Sequence, residues 1–251
     1  MRKTMLLNPI VRYLGAILLV VGLSTGGFAG EKKVIPYEAS YMGIALLDMT
    51  LTWEDMDSTV QITYDNQVKP FIGRFHHIHN IYQVHFEKQS YKPISWSKKI
   101  SEGSMDFFLE GNRPVDGTRV MYSNGATASI PGDAFTVFSA THFLASRAHD
   151  AEYFPVDIKV FIDGEIWKAT ATRYTATQPP PDINLASSQV LIQTDLQYVS
   201  GKRVMEENDI LMDVIATEGT RFILWVEEDG SYSKAQFGKF PKAVVMERLK
   251  K

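Results

Sequence analysis

The sequence contains no cysteine. Its absence removes disulfides, thiolate nucleophiles and thiolate metal sites together, so the fold must rest on an apolar core. Also missing are a Gly-x-Ser-x-Gly elbow, a His-Glu-x-x-His zinc motif and a Gly-rich phosphate loop ahead of a helix. A serine hydrolase of that type, a zincin and a nucleotide site therefore lack the residues they require. There is no basic excess either, with 26 Lys and Arg against 29 Asp and Glu. Nucleic acid as a partner needs a basic face, and this balance argues against it. The chain shows no internal repeat and no low-complexity tail.

What is present begins at the N-terminus. Arg2, Lys3 and Arg12 precede an apolar run from Tyr13 to Leu23, and Gly27 and Ala29 supply small residues at −3 and −1. This is the pattern of a secretory signal peptide cleaved after Ala29, giving a leader over 1–29 and one domain over 30–251. The competing reading is an uncleaved membrane anchor, because the uncharged stretch 13–29 reaches the lower limit for a span. Removing residues 1–29 takes away three of the 26 basic residues and none of the 29 acidic ones. That leaves 23 against 29, a formal charge of −6 on 222 residues. A chain of that length builds one core without a metal or disulfide. The expected location is the periplasm.

The dominant pattern over the remaining chain is alternation with period two, as expected of strands with one wet face. It runs through 45–53, resumes at Val60, Ile62 and Tyr64, and recurs at Val156, Ile158, Val160 and Ile162 before the hairpin dipeptide Asp163-Gly164. Val190, Ile192, Leu196 and Tyr198 suggest a further strand. A hairpin turn at Asp229-Gly230 follows residues 222–226, and 243–249 close the chain. One stretch predicts a helix, with Asp133 as N-cap and Phe135, Phe138, His142 and Ala145 at helical spacing. The fold class expected is mainly β: a large curved antiparallel sheet or open half-barrel with one or two helices. An outer-membrane barrel would need outward apolar strands and aromatic girdles, and short strands with a Glu-Arg-Leu-Lys-Lys end fit it poorly.

Four of the six histidines fall in 74–86, RFHHIHNIYQVHF. Read as a strand, this segment puts His77, His79 and His85 on one face. Read as a short helix leading into a strand, it buries Phe71, Phe75, Ile78 and Tyr82 in a stripe. His77 and His79 have the spacing at which two imidazoles can reach one metal ion, but no further ligand stands at a recognisable offset. A polar, partly exposed face is the preferred reading, and no metal or other cofactor is assigned. Ser139 and His142 lie three apart on the predicted helix, which does not make a nucleophile and base. Glu102, Asp106 and Glu110 are the candidate paired carboxylates, and nothing in the sequence brings two of them together.

The aromatic residues point to binding instead of catalysis. Trp53, Tyr82, Phe86, Trp96, Phe107, Phe135, Phe138, Trp167 and Trp225, with Met49 and Met212, are spread over separate elements. On a curling sheet they would line an apolar cavity suited to a lipid or other amphiphile. These nine aromatics are the candidate ligand-binding residues.

Several stretches resemble the exported bacterial domain-of-unknown-function family numbered 3108. PYEASYMGIALLDMTLTW is similar to its opening strands, and IYQVHFEKQSYKPISWSKKISEG to its segment with a tyrosine, a later proline and a Glu-Gly. DAFTVFSATHFLASRA stands where the family has an Asp-x-Leu-Ser helix, with Ala134, Phe135 and Thr136 departing from that motif. FILWVEEDGSYSKAQFGKFPKAVVMERL resembles its final hairpin. The resemblance implies a periplasmic β-rich protein similar to lipoprotein carriers, and it brings no catalytic residues. The function expected is a soluble periplasmic binding or chaperone-like protein in cell-envelope biogenesis, holding a lipid, glycan or other amphiphile on a concave sheet. The alternatives are a ligand-free module that assembles envelope proteins and a His-dependent metalloenzyme.

Overall fold

The structure is a computed structural model that describes residues 31–114, 117–181, 183–205, 209–239 and 241–250. The expected leader and its cleavage site lie outside the described residues. Residues 31 onward form one compact unit.

The unit is built on a 15-stranded sheet, antiparallel at every junction except β9–β10. The strands are β1 (Lys32–Tyr41), β2 (Ile44–Met56), β3 (Thr59–Val68), β4 (His79–Glu87), β5 (Pro93–Glu102), β6 (Met105–Asn112), β7 (Arg119–Tyr122), β8 (Thr127–Ser129), β9 (Phe135–Thr136), β10 (Val156–Ile162), β11 (Glu165–Thr175), β12 (Val190–Gly201), β13 (Arg221–Val226), β14 (Tyr232–Phe237) and β15 (Val244–Arg248). Each strand pairs with its neighbours in sequence except β8 with β9, and β1 pairs with β15, so among the described residues β8 and β9 are the edges. Among the described residues there are three α-helices: α1 (Pro70–Gly73), α2 (Val137–Arg147) and α3 (Ile210–Ile215).

Period-two alternation becomes an inner and an outer face. Val60, Ile62 and Tyr64 of β3, and Tyr82, Val84 and Phe86 of β4, are buried. Their alternates pair across the outside as Thr59 with Glu87, Gln61 with His85, Thr63 with Gln83 and Asp65 with Ile81. That outer face is mostly polar, made for water and unsuited to acyl chains. The hairpins close on left-handed pairs, Met42 and Gly43 at φ 53° and 79°, and Asp163 and Gly164 at 46° and 103°. Two successive positive φ values define the tight turn whose twist matches the flanking strands.

The inner face wraps around α2. Seven of its eleven residues are buried, more than one helix face can supply, because strands lie on several sides of it. The helix begins three residues later than its sequence suggests. Thr136 is the N-cap: its side chain accepts from the Ser139 amide at 3.2 Å, and Ser139 Oγ accepts from the Thr136 amide at 3.0 Å. Asp133 instead takes the Lys159 ammonium at 3.0 Å on the surface, and Phe135 belongs to β9. The reciprocal cap satisfies two amides at once, more than Asp133 could from outside the first turn.

The sheet closes by overlap. Val160 and Trp167 face the main core, whereas Phe161 and Ile166, on the opposite face of β10 and β11, are buried with Leu109, Val120, Tyr122 and Ile130. The β6–β8 end thus lies over the outside of β10. Trp96 of β5 meets Phe161 edge-on with ring centroids 5.6 Å apart, and its indole runs across its cross-strand partner Gly111: a Cβ there would sit 2.7 Å from Trp96 Cε2.

The histidine segment takes the helix-then-strand form, with a correction. The helix α1 is a single turn ending at Gly73, so no stripe of i, i+4 contacts forms and Phe71 and Phe75 are exposed. Ile78 and Tyr82 alone of the expected four are buried.

Candidate functional site

Tyr82 of β4 and Phe138 of α2 stand side by side, ring centroids 5.4 Å apart, and a cavity opens on each side of them. The first, about 70 Å³, is bounded by Met49, Met246, Leu211, Tyr82 and Phe138, with the polar Asn80 and Glu102 also in its lining. The second, about 40 Å³, is bounded by Trp96, Phe161, Met212 and Lys98. Helix α3 contributes to the walls of both. Sheet curvature around one short helix leaves these gaps, since α2 fills the middle of the sheet and not its end.

A buried polar network pins α3 in place. Tyr82 Oη donates to Asp209 Oδ1 at 2.6 Å, and the same oxygen accepts from the Met212 amide at 3.0 Å as the N-cap of α3. Lys98 Nζ donates to Asp163 Oδ2 at 2.5 Å and lies 3.6 Å from Asp209 Oδ2. Asn80 donates to Glu102 Oε1, and Glu102 Oε2 accepts from the Ile210 amide at 3.4 Å. Asp209 is 0% exposed. Burial pushes its carboxyl up, with Lys98 pulling the other way, and burial pushes Glu102 up against the Asn80 hydrogen bond. A lysine shared by two carboxylates offsets one of their charges, and the raised carboxyl of Asp209 lessens the other.

A second constellation joins the helix to both halves of the sheet. Tyr64 Oη lies 2.8 Å from His142 Nε2 and 2.8 Å from Tyr232 Oη, which is 3.2 Å from the same nitrogen. Tyr37 Oη donates to the Tyr232 carbonyl at 2.9 Å. Burial depresses the imidazole to about 3, so it is neutral and accepts from a tyrosine hydroxyl. Burial also raises Tyr64 and Tyr232, so both stay protonated. This group holds no nucleophile. Ser139 is committed to the α2 cap, and the Ser139–His142 spacing creates no pair.

The fold has a solved counterpart. The crystal structure of a beta-barrel-like protein of domain-of-unknown-function family DUF1849 from Brucella abortus matches with a TM-score of 0.52, covering 87% of this chain and 95% of that one. The sequences are 10% identical, so the likeness is one of fold alone. No protein-family model matches the chain, and no curated protein matches it in sequence.

The nine aromatics suggested by sequence divide by position. Tyr82 and Phe138 bound both cavities, and Trp96 bounds the second. Phe135 lies in a separate surface groove with Phe143 and Tyr153. Phe86 and Trp167 are packed into the main core, where Trp53 and Phe107 join its rim, and Trp225 lies under the Lys234 ammonium. Met49 and Met212, read as lining, do bound the two cavities. Lys98, Asp163, Asp209 and Asn80 went unnoticed as a group because their partners lie far away in sequence. Tyr82 and Asp209 are 127 residues apart and Lys98 and Asp163 are 65 apart. Asp163 carried a signal, but one for a hairpin turn.

The histidines scatter. His79 Nε2 meets Asp65 Oδ1 at 3.0 Å on the outer face, and His77 sits beside Arg74 and Asp48 near α1. Among the described residues no three His, Asp or Glu side chains come together as a metal site. Glu102 faces inward, while Asp106, paired with Ser101, is exposed.

Proposed function

We propose that this is an exported binding protein of the cell envelope that holds the apolar end of a small amphiphile in the cavity beside Tyr82 and Phe138. The observation that carries the reading is that cavity: an apolar lining that includes the polar Asn80 and Glu102, behind strands β3 and β4 whose outer face is mostly polar. Its volume is about half that of the ~150 Å³ cavity in which a protein interior takes up benzene. The present shape therefore takes the end of a single chain, and a longer ligand enters only as α3, a helix of six residues, moves outward. The signal-peptide pattern over 1–29 supports export, and a relation to the family numbered 3108 fits the same reading. The polar side chains favour an uncharged head, since Glu102 is a buried carboxyl already bonded to Asn80 and the Ile210 amide.

Two measurements test it. The protein is purified without detergent, extracted with organic solvent and the extract analysed by mass spectrometry; a single-chain amphiphile is expected. In parallel, a fluorescent short-chain amphiphile is titrated into wild type and Leu211→Trp, whose indole would fill the cavity. Binding about tenfold weaker in the variant supports the site. An empty extract with equal probe binding by both proteins refutes it.

A further inference from the structure

Four large apolar side chains stand in water at one end of the sheet. Phe71 and Phe75, on and just after α1, are 64% and 89% exposed; Met42 and Ile44, at the β1–β2 turn, are 51% and 60% exposed. The two loops are neighbours: Leu47 pairs with Val68, and the Lys69 amide donates to the Leu46 carbonyl at 2.9 Å. Nothing in the fold requires this exposure, because α1 buries none of its residues.

The segment that carries Phe71 and Phe75 is basic in sequence. The stretch 69–77, KPFIGRFHH, carries Lys69, Arg74, His76 and His77 and no acid, in a chain whose net charge is negative. Lys69 meets Glu38 of β1, and Asp48 lies nearby; among the described residues Arg74 forms no ion pair. The lining of the cavity reaches the same loops, through Tyr41, Leu46, Leu47 and Ile78.

We propose that this end of the molecule docks on a bilayer with anionic headgroups, Phe71, Phe75, Met42 and Ile44 entering the headgroup–acyl boundary and Lys69, Arg74, His76 and His77 meeting phosphates. Apolar side chains at the tips of turns, beside the Lys69 and Arg74 cations and the His76 and His77 imidazoles, match the layered chemistry of that boundary. A flat protein partner would favour a continuous apolar face with a pocketed anchor. Docking there sets this end of the cavity against the lipid, so the role rests on the amphiphile-binding reading: cargo passes between bilayer and cavity without crossing water.

The lack of cysteine provides a clean probe. Phe75→Cys carries a single environment-sensitive fluorophore, which should brighten with vesicles of phosphatidylethanolamine and phosphatidylglycerol at about 0.15 M salt and respond less to phosphatidylcholine alone. In co-flotation, Phe71→Ser/Phe75→Ser should bind the anionic vesicles about tenfold more weakly or worse. Both side chains are exposed, so the double variant keeps the fold, and unchanged binding of the short-chain probe verifies that. No vesicle binding by wild type, or equal binding by the double variant, overturns docking. If the probe still binds in that case, the cavity reading stands without it. Vesicle binding with no probe binding has the reverse meaning: docking holds and the cavity reading falls.

Discussion

Acidification should test the Tyr64–His142–Tyr232 group directly. His142 titrates near 6.5 in the unfolded chain and is depressed to about 3 in the fold by burial. Between those values the unfolded chain binds one more proton than the folded one. Stability is therefore fully present above pH 6.5 and falls as the pH drops, by about 1.4 kcal/mol per unit. From pH 7 to pH 5 the loss from this one residue is about 2 kcal/mol. That figure hardly changes if the folded value is a unit higher, which matters because part of the ring edge meets solvent. Glu102 and Asp209 act with the opposite sign. Their raised carboxyls take up protons in the fold first and so gain stability on acidification. The measurement that isolates the imidazole is a difference: urea unfolding of wild type and His142→Gln across pH 5–7.5. The carboxylates and the other five histidines are common to both proteins. Wild type should lose about 2 kcal/mol more than the variant over the two units. Parallel pH profiles, or an imidazole resonance of His142 titrating near 6.5, would refute the reasoning.

Gly111→Ala should destabilise the overlapped end by about 1–3 kcal/mol, because the new methyl group meets the Trp96 indole and one of the two must move. A thermal melt and tryptophan emission check it, and neither changing would mean that the packing there is loose. Lys98→Met should cost about 3–5 kcal/mol at neutral pH by leaving Asp163 and Asp209 without their cation. With the ammonium gone, Asp209 holds its proton more firmly in the fold, so the variant recovers stability relative to wild type as pH falls. His142 titrates in both proteins, so the readout is the gap between their urea midpoints, and a gap that does not narrow from pH 7 to pH 5 would count against the network.

The parts legible in the sequence were those fixed by neighbours in sequence. Val60, Ile62 and Tyr64 alternate because their strand has one wet face, and Asp163-Gly164 can make one kind of turn. The start of α2 was misplaced because Asp133 and Thr136 are both capping residues, and only the Ser139 side chain decides between them. The stripe of Phe71, Phe75, Ile78 and Tyr82 holds only at its last two members, because helical spacing implies contacts only when the helix lasts more than one turn. The site was least legible. Lys98, Asp163 and Asp209 come together only once the two ends of the sheet approach, and no local spacing encodes that.

The pairing of β1 with β15 has a consequence in time. Tyr37 faces Arg248 and Tyr41 faces Val244, so the first strand finds one of its two partners only after the last has been made. A ladder spanning so much of the chain has a large loop-closure cost, and contacts of such separation slow folding. Until β15 arrives, the free edge of β1 is open to mispairing with another copy. A chain built this way profits from a holding factor during synthesis, and the seam between its first and last strands is where delayed folding would begin to aggregate.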